Sequence, residues 1–234
     1  MRNNLLLDLI FPRRCAVCDI VLPWGQKEIC EECKKNVEYL DGPTCFKCGK
    51  PVKADEEYCY DCRTKEHYFI SGAAVFSYEY IRRSLYRFKY SGRQEYAVFY
   101  GRQMAHRMEE KRKYWMPDAL VPVPLHRKKM KKRGYNQTEL IARELGRCWG
   151  IPVITNLVVR SKNTRPMKEI VGTDRQNNLK KAFKLGTNDV KLDTIIIIDD
   201  IYTTGSTVDA VSKMCLEAGI RNVYFITVSI GYGL

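Results

Sequence analysis

The chain has 234 residues, 45% of them hydrophobic, which supports a packed core with a small appendage and excludes a disordered chain. Its 40 Lys and Arg against 27 Asp and Glu leave a formal charge of +13, so nucleic acid, nucleotides and acidic membrane surfaces are favoured partners. No apolar run is long enough to span a bilayer.

The first apolar stretch, residues 5–11, is interrupted by Asp8, follows a single Arg and lacks a small-residue cleavage site. It reads as a cap on the core, contributed by Leu5, Leu6, Leu9 and Ile10, rather than as a signal peptide, and a cytoplasmic location is expected. Next come four Cys-x-x-Cys pairs, Cys15/Cys18, Cys30/Cys33, Cys45/Cys48 and Cys59/Cys62. A two-residue gap lets both thiolates of a tight turn face one ion, and two such turns complete the four-sulfur shell of a closed structural zinc site. Two zinc ions are therefore expected. Disulfides suit an oxidising compartment, and a redox Cys-x-x-Cys usually comes singly within a βαβ pattern that this segment lacks.

Sequential ribbons, with the first four cysteines on one ion and the last four on the other, fit the repeat that Cys18-Asp19 and Cys48-Gly49 each open; a cross-braced pairing stays open. The segment has too few large apolar residues to fold by burial alone, so the metals must supply much of its stability. Lys27, Lys34, Lys35, Lys47, Lys50 and Lys53 give it a basic face. Cys148 and Cys215 lie in helical stretches and are expected to be buried small hydrophobes.

Beyond residue 66 the pattern changes, giving a double zinc ribbon over 1–66 and an α/β domain over 67–234. Strand patterns at 72–78, 119–123, 157–160, 194–198 and 223–229 alternate with helical ones at 80–90, 96–110, 137–149 and 207–219. Strands interleaved with helices imply a Rossmann-like parallel sheet covered on its faces, and 194–198, apolar on both sides, reads as its central strand. After the second of these strands, Pro124, Leu125 and His126 form a loop. A basic run follows, Arg127, Lys128, Lys129, Lys131, Lys132 and Arg133, which is either solvated surface or a path for polyanions.

The central strand ends in Asp199-Asp200-Ile201-Tyr202-Thr203-Thr204-Gly205-Ser206-Thr207 and leads directly into a helix, at the carboxyl edge where open α/β sheets bind ligands. Backbone amides and hydroxyls at a helix N-terminus suit a phosphate monoester. Two carboxylates beside it would repel that phosphate unless they face sugar hydroxyls and a magnesium ion. Helix capping alone accounts for Ser206 or Thr207 but not for the string. Neither a Walker loop nor a Gly-x-Gly-x-x-Gly fingerprint matches.

The string resembles the phosphoribosyl-pyrophosphate motif of type I phosphoribosyltransferases. That resemblance implies that Asp199 and Asp200 hold the ribose hydroxyls, that Thr203, Thr204, Gly205, Ser206 and Thr207 enclose the 5-phosphate, and that Pro124, Leu125 and His126 lie where these enzymes grip pyrophosphate. Gly205 lets the backbone approach closely.

Across nearly the whole length the pattern is similar to the ComF family of ComFC-like competence proteins. The cysteine pairs precede Leu85-Tyr86-Arg87-Phe88-Lys89-Tyr90-Ser91-Gly92-Arg93, Val121-Pro122-Val123-Pro124-Leu125-His126-Arg127, Arg133-Gly134-Tyr135-Asn136-Gln137, then Arg160, Thr164, Arg175, Asn178, Ala182 and Phe183. The chain departs from the family at Met167-Lys168, where a Gln is expected. The resemblance implies a phosphoribosyltransferase type I domain behind a zinc ribbon, handling incoming single-stranded DNA in natural transformation beside a competence helicase or a recombination mediator. The alternative is an active phosphoribosyltransferase acting on a base or nucleotide with phosphoribosyl pyrophosphate and magnesium. The DNA would follow the basic run, with Arg82, Arg83, Arg87 and Lys89 extending the path and Tyr86, Tyr90, Tyr96, Tyr100 and Tyr135 as candidate stacking rings.

Overall fold

A computed structural model describes residues 12–160, 183–186 and 191–231. Leu5, Leu6, Leu9, Ile10, Thr164, Met167, Lys168, Arg175, Asn178 and Ala182 lie outside the described residues.

The cysteine segment is two copies of one knuckle. Cys15 N–H donates to Ile20 carbonyl and Cys45 N–H to Lys50 carbonyl, at 2.9 and 2.7 Å, and each knuckle is followed by a short helix, α1 (Glu31–Lys35) and α2 (Tyr60–Thr64). The residue after each second cysteine must turn left-handed, φ 68° at Asp19 and 76° at Gly49. Asp tolerates that conformation. At the second knuckle only Gly fits, because a Cβ at position 49 would lie 2.9 Å from the Ala73 Cα and the Gly72 carbonyl. The second ribbon is thus seated directly on the first strand of the sheet.

That sheet has four parallel strands in the order β1, β6, β5, β2, namely β1 (Ser71–Ser77), β2 (Ala119–Pro122), β5 (Thr194–Tyr202) and β6 (Asn222–Ile230). On it lie α3 (Tyr78–Tyr90), α4 (Tyr96–Arg107), α5 (Glu109–Trp115), α7 (Gln137–Trp149) and α8 (Ser206–Glu217). Ile195, Ile196, Ile197 and Ile198 are fully buried, as a central strand covered on both faces requires. One side of the sheet closes over Phe76, Phe88, Phe99, Tyr100 and Ile141; the other closes over Phe69, Tyr202, Val211 and Phe225.

Three features differ from the sequence reading. The strand at Val158–Arg160 (β3) pairs antiparallel with Phe183–Leu185 (β4) in a separate ribbon rather than joining the parallel sheet. The basic run is a helix, α6 (Arg127–Arg133), capped by His126 and ended by Gly134 at φ 85°. Cys215 is buried, but Cys148 is exposed, since it falls in the last turn of α7, where Arg147 and Gly150 are exposed too.

Gly49→Ala combines left-handed strain with a backbone collision and is expected to destabilise the fold by about 2 kcal/mol or more. Gly25→Ala, at an equally positive φ with nothing within 4 Å, should cost only about 1 kcal/mol. Thermal unfolding of the two variants checks the ordering.

Candidate functional site

The cysteines form two sets, Cys15, Cys18, Cys30 and Cys33 in one and Cys45, Cys48, Cys59 and Cys62 in the other, with all sulfurs of a set within 4.8 Å of one another. Cys18 and Cys30 sulfurs are 3.8 Å apart and those of Cys48 and Cys59 3.6 Å. A tetrahedral ion with bonds of about 2.3 Å to sulfur requires roughly 3.8 Å between ligands. Amides support the knuckle, Cys30 N–H donating to Cys15 Sγ at 3.4 Å and Cys33 N–H to Cys30 Sγ at 3.4 Å. These are closed four-sulfur sites that fit structural zinc.

The two sets are tied to the body differently. The first is pinned from outside by polar contacts. Ser84 Oγ donates to the Ala16 carbonyl, Tyr96 Oη donates to Asp19, Arg93 pairs with Asp19 at 3.1 Å, and Arg102 pairs with Glu28. The second is part of the core, with Cys45, Cys48 and Cys59 in one apolar cluster with Phe69, Tyr202 and Phe225. Tyr202 stacks on Phe225 with centroids 4.8 Å apart and ends β5 immediately before the polar loop.

At that loop, β5 continues through both aspartates. Its period-two alternation turns Asp199 and Asp200 to opposite faces. Asp200 is buried, and its Oδ2 accepts a hydrogen bond from Gln137 Nε2 at 2.7 Å and forms an ion pair with Lys89 Nζ at 2.9 Å. Arg133 donates in turn to Gln137 Oε1. Tyr135 Oη donates to the Phe88 carbonyl, while Asn136 Nδ2 and Thr138 Oγ1 donate to the Val123 carbonyl at 3.2 and 2.7 Å. Segments 85–93, 121–127 and 133–137 thus converge on the end of β5. Lys89 and Gln137 were not singled out from the sequence as partners of Asp200; the need of a buried carboxylate for a cation signals that a partner must exist without naming it.

Asp199 accepts the Asp200 N–H at 2.8 Å, and desolvation followed by the Asp200 charge pushes its carboxyl well above the usual range. Lys89 and Arg160 oppose that push. Partial desolvation, then the charges of Arg160, Arg133 and Lys89, push Lys129 down although the residue is exposed. Burial and Arg160 likewise lower His126, a buried residue whose Nδ1 accepts the Lys128 N–H at 3.2 Å. Its Nε2 therefore carries the proton in the neutral ring. Arg160 influences both His126 and Asp199, so the loop at 124–126 and the strand end share one electrostatic neighbourhood, rich in cations.

Gly205, at φ 76°, opens α8 without a side-chain cap. A Cβ there would lie 2.7 Å from Tyr202 Oη. Thr204 Oγ1 and Ser206 Oγ are 2.9 Å apart. The acid of the first helical turn, Asp209, is engaged by His67 Nδ1 at 2.8 Å and by the Tyr68 N–H at 3.2 Å. Arg127, Lys128, Lys129, Lys131 and Lys132 of α6 are exposed, and Arg133 is half-buried. Of the candidate rings, Tyr96, Tyr100 and Tyr135 are buried and unavailable for stacking, whereas Tyr86 and Tyr90 are exposed.

Two outcomes are expected. Lys89→Met orphans a buried carboxylate and should cost roughly 3 kcal/mol in denaturant unfolding, most of it recovered when Asp200→Asn is added. Metal analysis should find two zinc ions per chain and one in Cys15→Ser or Cys45→Ser. The second variant should unfold at the lower temperature, since its site lies in the core; two ions retained in either would contradict the assignment.

Residues 6–63 match the double zinc ribbon domain family. The chain is 28% identical over 225 residues to Competence protein F of Haemophilus influenzae, covering 91% of this chain and 95% of the relative. It is 28% identical to the DNA utilization protein YhgH of Escherichia coli K12, covering 92% and 96%. Among solved structures, an adenine phosphoribosyltransferase overlaps 64% of this chain and 84% of its own, with 15% identity and a TM-score of 0.37. Over nearly its whole length the chain is similar to Competence protein F and YhgH, and in this chain a double zinc ribbon precedes a parallel α/β body.

Proposed function

We propose that the protein handles incoming single-stranded DNA in natural transformation and keeps a binding site for phosphoribosyl pyrophosphate at residues 199–207. The uncapped N-terminus of α8, entered through left-handed Gly205 at the carboxyl edge of a parallel sheet, carries the sugar-phosphate half of this reading. Thr203, Thr204, Gly205, Ser206 and Thr207 enclose the 5-phosphate with amides and hydroxyls. Asp209 does not repel it, being turned to His67.

Asp199 takes the ribose hydroxyls. Asp200, already bound by Lys89 and Gln137, acts chiefly as a positioning residue that fixes the strand end. His126 donates from Nε2 to the diphosphate beside Pro124 and Leu125, and a magnesium ion supplies charge neutralisation when the diphosphate is bound. In this division of labour the segment 1–66 is a zinc-held module and 67–234 is the ligand-binding body.

The DNA half is supported by the names of the two relatives, by the charge of +13 and by the exposed cations of α6. A competence helicase or recombination mediator is the expected protein partner. This reading suits a location on the cytoplasmic side; among the described residues no helix is long and apolar enough to cross a membrane.

Calorimetric titration with magnesium and phosphoribosyl pyrophosphate tests the site. Asp199→Asn and Gly205→Ala should each weaken binding about tenfold or more. Asp199→Asn should be at least as stable as the parent near neutral pH, because it removes a carboxylate whose charge the fold disfavours. Undiminished binding in both variants would overturn the assignment.

A further inference from the structure

A groove of about 580 Å³ runs beside α3 and is bounded by Tyr78, Arg82, Arg83, Tyr86 and Tyr90, with Ile201 of β5 at its inner wall. Ile201 lies between Asp200 and Tyr202, so the groove reaches the strand end that carries the polar loop. Tyr86 and Tyr90, one helical turn apart, stand 62% and 61% exposed with ring centroids 5.0 Å apart. Paired exposed rings offer planar faces to a ligand.

The charges around the rings fit a polyanion. Arg82 and Arg83 are exposed, and neither has an ion pair among the described residues. Arg87, by contrast, is committed to Asp19 at 3.7 Å. The guanidinium of Arg133 lies 5.2 Å from the centre of the Tyr90 ring and joins the groove to the basic helix α6. Cations at Arg82, Arg83 and Arg133 thus accompany the pair of rings.

We propose that this groove is the track for single-stranded nucleic acid, in which successive bases stack on Tyr86 and Tyr90 while Arg82, Arg83 and α6 take the phosphates. The proposal rests on the DNA reading above and gives it a surface. A duplex has its base faces stacked internally and cannot use the rings; a single strand can.

Fluorescence anisotropy with labelled oligothymidine, measured over a series of salt concentrations, tests it. Tyr86→Ala/Tyr90→Ala should bind on the order of tenfold or more weaker at an unchanged salt slope, because stacking releases no counterions. Arg82→Ala/Arg83→Ala should lower the slope by about 1.4, the share of two phosphate contacts on a single strand. Tyr86→Phe/Tyr90→Phe should retain binding, and all variants should keep two zinc ions and their titration with magnesium and phosphoribosyl pyrophosphate. If the parent binds oligothymidine and the tyrosine-to-alanine variant binds it equally well, the groove assignment is overturned and the DNA reading survives. If the parent binds no oligothymidine, both fall.

Discussion

A carboxylate buried at the end of a central parallel strand is the constraint around which the rest of the site is arranged. Asp200 cannot remain charged there without a cation and a hydrogen-bond donor, and Lys89 and Gln137 supply them. Lys89 ends α3 and Gln137 begins α7, so satisfying one carboxylate fixes two helices against β5. Tyr135, packed beneath Phe88, and Asn136, holding the Val123 carbonyl, extend that fixation to the neighbouring loop. The polar loop attached to so constrained a strand end has little conformational freedom left to lose.

The two zinc ribbons are repeats in sequence and geometry but not in structural role. The first sits on the surface of α3 and α4, held by carboxylates at Asp19 and Glu28. The second shares a core with Tyr202, the residue whose hydroxyl lies closest to the turn at Gly205. Metal in the second site would therefore support the core behind the polar loop, while metal in the first would support the helix that carries Tyr86 and Tyr90. The cysteine segment thus joins the α/β body through its core and through its surface.

Much of this was legible in the residues. Four evenly spaced cysteine pairs, an isoleucine strand and a nine-residue polar string each have a local physical reason, so the parallel sheet, the ribbons and the position of the loop could be read directly. What escaped the reading depends on distant partners. Six like charges in seven residues argue against a helix at 127–133, and only His126 and Gly134 at its ends reveal one. Alternation puts Asp199 and Asp200 on opposite faces without saying which face holds Lys89. Three-residue strands such as Val158–Arg160 and Phe183–Leu185 carry too little pattern to specify an antiparallel partner. The five tyrosines near the basic residues looked equivalent, and packing separated two exposed rings from three buried ones.

The central claim is that a rigid strand end presents residues 203–207 to a sugar phosphate. Hydrogen exchange, with and without magnesium and phosphoribosyl pyrophosphate, tests it most directly. The account predicts that new protection concentrates in the amides of Thr203 to Val208 and in the loop at 124–126, while β5 and the Asp200 contacts, already protected, change little. Ligand-induced protection confined to the cysteine segment, or absent from the first turn of α8, would contradict it.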